Sequence, residues 1–86
     1  MYHLLPPREL EQVVKVLTFG ANKYGENDWQ HFVQKDRNER RYVSACLRHV
    51  MAFTMGERLD HETHLPHLAH AISCLLFVLW KTNGRR

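Results

Sequence analysis

Leu10, Val13, Val14, Leu17, Ala21 and Tyr24 recur at three- and four-residue spacing, which places them on one face of a helix. Arg8, Glu11, Gln12 and Lys15 fall on the opposite, solvated face. Pro6 and Pro7 mark the start of this helix, because proline is tolerated where the first amide has no partner. Gly25 is its expected stop, with Gly20 as an earlier alternative. Asn27-Asp28 reads as a cap before a short turn over residues 29–33, and a charged connector follows over residues 34–40.

A second helix is predicted over residues 39–55, with Val43, Cys46, Leu47, Val50 and Phe53 toward the core and Gly56 ending it. Residues 57–65 read as a polar loop. Pro66 opens a third helix that continues to about residue 82, before Asn83-Gly84. This last helix is apolar almost all round, through Leu68, Ala69, Ala71, Ile72, Leu75, Leu76, Phe77, Val78 and Leu79. Such a helix is expected to be buried on both sides. In a single small domain over residues 1–86, one of those sides is expected to belong to another subunit. No segment alternates at period two, so the expected fold is all-α: a bundle of three main helices completed by oligomerisation through the third.

Composition changes this picture little. The apolar share of 44% is that of a globular chain, and 12 Lys and Arg against 9 Asp and Glu leave a mild excess of +3. That balance favours an anionic partner but lacks the dense basic stripe expected for nucleic acid. Cys46 and Cys74 stand alone in apolar stretches, as buried thiols of a reducing compartment do. The first residues lack the basic start and apolar run of a secretory leader, and the apolar stretch near residues 69–80 is too short for a bilayer. The expectation is a cytoplasmic protein with no membrane partner.

Three clusters could carry chemistry. On the second helix, Arg41 and Arg48 lie two turns apart with His49 beside the latter, a natural pair of bidentate donors for phosphate oxygens or simply a solvated charged face. Residues 57–70 hold Glu57, Asp60 and Glu62 together with His61, His64, His67 and His70. Carboxylates alone suit Mg²⁺, whereas carboxylate with imidazole suits zinc, manganese or iron. An imidazole-lined helix start could equally hold a phosphate with no metal, or serve structure alone. Around the end of the first helix, Lys23 could meet a phosphate, Tyr24 or Trp29 could stack on a base, and Asn27 could read its edge. The two aromatics could also just fill the core.

These segments resemble a known family. Leu4-Leu5-Pro6-Pro7, the run from Leu17 through Gly25, Asn27-Asp28-Trp29, Leu47-Arg48-His49, Gly56-Glu57 with Asp60 and Glu62, and Leu65-Pro66-His67-Leu68-Ala69-His70-Ala71 occur in order. Together they look like the phage dATP/dGTP diphosphohydrolase-type domain, which is related to the all-α, MazG-like nucleotide pyrophosphohydrolases. The resemblance implies a helical, usually oligomeric domain that binds or acts on a purine deoxynucleoside triphosphate in the cytoplasm of an infected cell. It implies hydrolysis to monophosphate and pyrophosphate with Mg²⁺ or Mn²⁺ on Glu57, Asp60 and Glu62. Glu57 and His49 would be the catalytic groups. Lys23, Arg48 and His49 would steady the phosphates, with His67 and His70 close by, while Asn27, Trp29 and Arg41 are nucleotide-binding candidates from the residues themselves.

The MazG-like enzymes grip their metals with Glu-x-x-Glu and Glu-x-x-Asp on their helices. The corresponding helices here carry Arg48-His49 and His67-Leu68-Ala69-His70. Cations in place of carboxylates shift the expectation from metal recruitment toward direct phosphate binding. Sequestration of a nucleotide or nucleotide second messenger without turnover is therefore the alternative function.

Overall fold

The computed structural model describes residues 1–24 and 38–83, save the side chains of Tyr24 and Asn38. A 3₁₀ turn, Tyr2–Leu4, leads into α1, Pro7–Tyr24; α2 spans Asn38–Thr54 and α3 spans His67–Thr82. Among the described residues there is no strand beyond one isolated bridge between Leu59 and Pro66. The predicted stop at Gly25, the cap at Asn27-Asp28, the turn at 29–33, most of the connector, Gly84 and the candidate binders Asn27 and Trp29 lie outside the described residues.

The helix boundaries follow local chemistry. Pro7 is the first residue of α1, where its missing N–H costs nothing. Gly56 terminates the run after α2 at φ +97°, a left-handed conformation that glycine adopts without steric penalty. Pro66 stands at the N-cap of α3 with an extended ψ of 136°, and Asn83 follows its last residue.

Both α1 and α2 pack on α3. The stripe α2 turns inward is Tyr42, Ala45, Cys46, His49 and Ala52, of which Cys46 is fully buried. This corrects the predicted core face: Val43, Leu47, Val50 and Phe53 stay exposed, Leu47 at 59%. The reason is close approach. Small side chains at 45, 46 and 52 let α2 sit against α3, whose own buried positions are His67, Ala69, Ala71 and Ser73. In α1, Val13 is buried while Leu10 and Val14, also predicted inside, remain half-exposed.

At about 100° per residue, His67 and Ala71 fall on one side of α3, and Ala69 and Ser73 on nearly the opposite side. The third helix is thus buried on two sides, as predicted, and both sides are covered within one chain. A separate apolar stripe, Leu68, Ile72, Leu75, Leu76 and Leu79, faces outward between them. No helix among the described residues is long and apolar enough to cross a membrane.

Candidate functional site

The loop between α2 and α3 is held by its own backbone. Asp60 N–H donates to the Leu65 carbonyl, His64 N–H to the Asp60 carbonyl and His67 N–H to the Arg58 carbonyl, each at 2.9 Å. Closing so tight a loop puts His64 at φ +58°, a left-handed position that non-glycine residues rarely take. The Asp60 carboxylate reinforces the turn. Its Oδ2 accepts the backbone N–H groups of Glu62 and Thr63, both at 3.0 Å, and the Thr63 hydroxyl at 3.2 Å.

This turn delivers two carboxylates to the start of α3, where α2 brings up an imidazole. His67, 5% exposed, donates from Nε2 to Glu57 Oε1 at 2.7 Å. Its Nδ1 lies 2.8 Å from His49 Nδ1. The His49 ring stacks on that of His70, with centroids 4.7 Å apart and planes 12° from parallel. His70 Nε2 meets the Thr63 hydroxyl at 2.7 Å. A consistent proton assignment runs from His70 Nε2–H to Thr63 Oγ1 and from the Thr63 hydroxyl to Asp60. Among the described residues, every buried side-chain polar atom has a partner.

His49, Asp60 and His67 each offer a ligand atom, and those atoms lie within 4.8 Å of one another. The donor chemistry fits a divalent transition ion better than Mg²⁺, because imidazole nitrogens accompany the carboxylate. Glu57 behind His67 matches the partner a metal-bound histidine needs: a carboxylate that takes the remote N–H and fixes the ring with its other nitrogen free.

The protonation states agree with that use. Burial, and then repulsion from His70 and His67, lowers the pKa of His49 below its ordinary value. Burial likewise lowers His70, against an opposing pull from Asp60. For Asp60, burial pushes upward, but the hydrogen bonds from Thr63 and Glu62 and the nearby His70 outweigh it, and its pKa is lowered. The hydrogen bond from His67 holds the Glu57 carboxyl down as well. At neutral pH the site therefore has ionised carboxylates beside the neutral imidazoles of His49 and His70. Burial drives the Cys74 thiol up to about 11, so it offers no thiolate, and both cysteines are free.

The expected site residues separate into three places. His49, Asp60, His67 and His70 come together, with Glu57 bonded to His67 and also 3.2 Å from the exposed His61. Glu62 lies outside the triad and pairs with Lys23 at 2.8 Å. Arg48 and Arg41 are exposed and border a second depression with Arg40 and Ser44, on a face of α2 apart from His49. Sequence reasoning missed Thr63, whose signal was the Asp60-x-x-Thr63 spacing of a side-chain-capped turn. It also missed a cavity of about 460 Å³ between the three helices, on whose wall His70 and Thr63 stand.

No solved structure gives a significant match to the chain. A dATP/dGTP diphosphohydrolase of Salmonella phage PMBT28 is 39% identical over 82 residues, which is 95% of this chain and 27% of that protein. The chain thus spans roughly a quarter of the length of that relative. The sequence model of the family described as dATP/dGTP diphosphohydrolase, N-terminal, matches residues 1–86. This chain belongs to that family.

Proposed function

We propose that the chain binds a purine deoxynucleoside triphosphate and, with a divalent cation, hydrolyses it to monophosphate and pyrophosphate in the cytoplasm of an infected cell. The observation that carries this reading is the convergence of His49, Asp60 and His67, with Glu57 orienting His67 from behind. The name of the phage relative supplies the substrate class. A cation held by His49, Asp60 and His67 would neutralise phosphate charge and make a water molecule acidic enough to attack phosphorus. Mn²⁺ suits this mixed set better than Mg²⁺.

The chain's own groups have separate tasks. Glu57 keeps the proton of His67 on Nε2, leaving the unprotonated Nδ1 to accept a hydrogen bond or ligate a cation. Asp60 stays ionised because its turn supplies N–H donors. His70 fixes the His49 ring by stacking on it. Arg41 and Arg48, exposed on another face of α2, would meet phosphate oxygens that extend beyond the triad. We further propose self-association through the outward stripe of α3, Leu68, Ile72, Leu75 and Leu79. Light scattering should then show a smaller species for Leu75→Glu than for the wild type.

The test is incubation with dATP or dGTP and Mn²⁺, following pyrophosphate release. Product is expected with Mn²⁺, none with chelator and none from Asp60→Asn. Nucleotide binding without product, unchanged by chelator, would replace hydrolysis with sequestration.

A further inference from the structure

We infer that the cavity between α1, α2 and α3 takes the uncharged, base-bearing end of the nucleotide whose phosphates lie at the imidazole site. The inference rests on the reading just proposed and adds where the nucleoside sits. The cavity measures about 460 Å³, within the usual range for small-molecule sites. Its walls are mainly apolar and include Leu17, Phe19, Tyr42, Cys74 and Phe77. Tyr42 and Phe77 meet edge to face, with centroids 5.3 Å apart, so part of the wall is an aromatic corner of the kind that holds planar rings.

Two further observations tie this cavity to the site. His70 lines it while stacking on His49, and Thr63 lines it while its hydroxyl touches Asp60 and His70. The cavity and the triad therefore share two side chains, and a ligand with an apolar ring and a charged tail would reach from one past Thr63 and His70 to the other. Polar groups gather where the charged part would leave: the Lys23–Glu62 pair borders the cavity next to Thr63. Gly20 bears on the volume of the cavity itself. It sits inside α1, where glycine is a poor helix former, and a Cβ added to it would meet nothing within 4 Å. The missing side chain leaves cavity volume open.

The test compares wild type with Gly20→Phe, which would fill the cavity from α1. Three probes are titrated by calorimetry: Mn²⁺ alone, inorganic triphosphate with Mn²⁺, and dATP with Mn²⁺. The variant should lose about tenfold or more in dATP affinity, the scale of one stacked base. Its affinity for Mn²⁺ and for triphosphate should be unchanged. Equal losses for triphosphate and dATP, or no loss for either, would overturn the inference.

If Gly20→Phe does not fold, the wild type decides. Metal-free protein titrated with 2′-deoxyadenosine or 2′-deoxyguanosine should show shifted Phe19 and Phe77 resonances, and unshifted resonances would overturn the inference. Failure of the metal reading shows elsewhere, as Mn²⁺ affinity that survives Asp60→Asn.

Discussion

The face of α2 that carries His49 and the face that carries Arg41 and Arg48 lie a fraction of a turn apart, yet they are built on opposite terms. His49 is half-buried, bonded to His67 and stacked on His70. The arginines project into solvent. Arg48 and His49 are adjacent in sequence, but about 100° of rotation separates them on the helix. The difference teaches which kind of charge a small domain can place where. Imidazoles can be neutral and so enter the packed interior, whereas a guanidinium stays charged and must remain outside or be paired. Substitutions on the inner face should therefore change stability and metal binding together, and those on the outer face should change ligand binding alone.

The largest effect is expected for His67→Ala. It removes two hydrogen bonds from a buried position and leaves Nδ1 of His49 without its partner, so urea unfolding should show a loss of about 1–3 kcal/mol. Mn²⁺ binding should vanish with it. Glu57→Gln tests the inner face more finely: Mn²⁺ affinity should fall about 10–100-fold, as when the partner behind a metal-bound histidine is changed. Nucleotide binding without metal should survive in that variant.

Acid should act on the inner face by a definite route. His49 and His70 have pKa values below 6.5 when folded, so the unfolded chain binds more protons than the folded one once the pH drops through that region. The stability they contribute is present above about pH 6.5 and is lost as pH falls through their folded values. The melting temperature of metal-free protein should decline over that window, and the decline should flatten in a His49→Gln, His70→Gln double variant.

On the outer face, Arg48→Ala should weaken triphosphate binding by about 1–3 kcal/mol while leaving stability within about 0.5 kcal/mol. A melting temperature lowered as far as in His67→Ala would erase the distinction between the two faces. The smallest effect is a gain. Gly20→Ala should stabilise by about 0.5–1 kcal/mol, because α1 gains a helix former where the new methyl group has room.

The starts of α1 and α3 and the end of α2 were legible because proline and glycine act locally: Pro7, Pro66 and Gly56 stand where backbone chemistry needs them. The inward face of α2 was not. Periodicity favours the bulkiest apolar residues, Leu47, Val50 and Phe53, but packing density favours the small stripe that lets two helices approach. The site was half legible. His67, His70, Asp60 and Glu57 stood out as a dense run of titratable residues, and Arg48-His49 was recognised as a pair. The separation of that pair, and the link of Glu62 to Lys23, depend on helix rotation and on a contact between residues distant in the chain. Neither leaves a local signal. Thr63 was hidden for another reason, since its role exists only once the turn has closed.

Among the described residues, most of the imidazole cluster comes from one short stretch, the turn and the first residues of α3, and His49 arrives from another helix. The turn and α3 can present Asp60 and His67, but the donor set closes only when α2 docks. Any cation that needs all three groups therefore binds the docked arrangement in preference to the undocked one. By mass action it adds RT ln(1 + [L]/Kd) to the free energy of that helix–helix junction. With apolar side chains so widely exposed, a cation bound there would become part of the tertiary structure, and hydrogen exchange at the α2–α3 seam should slow in proportion to its concentration.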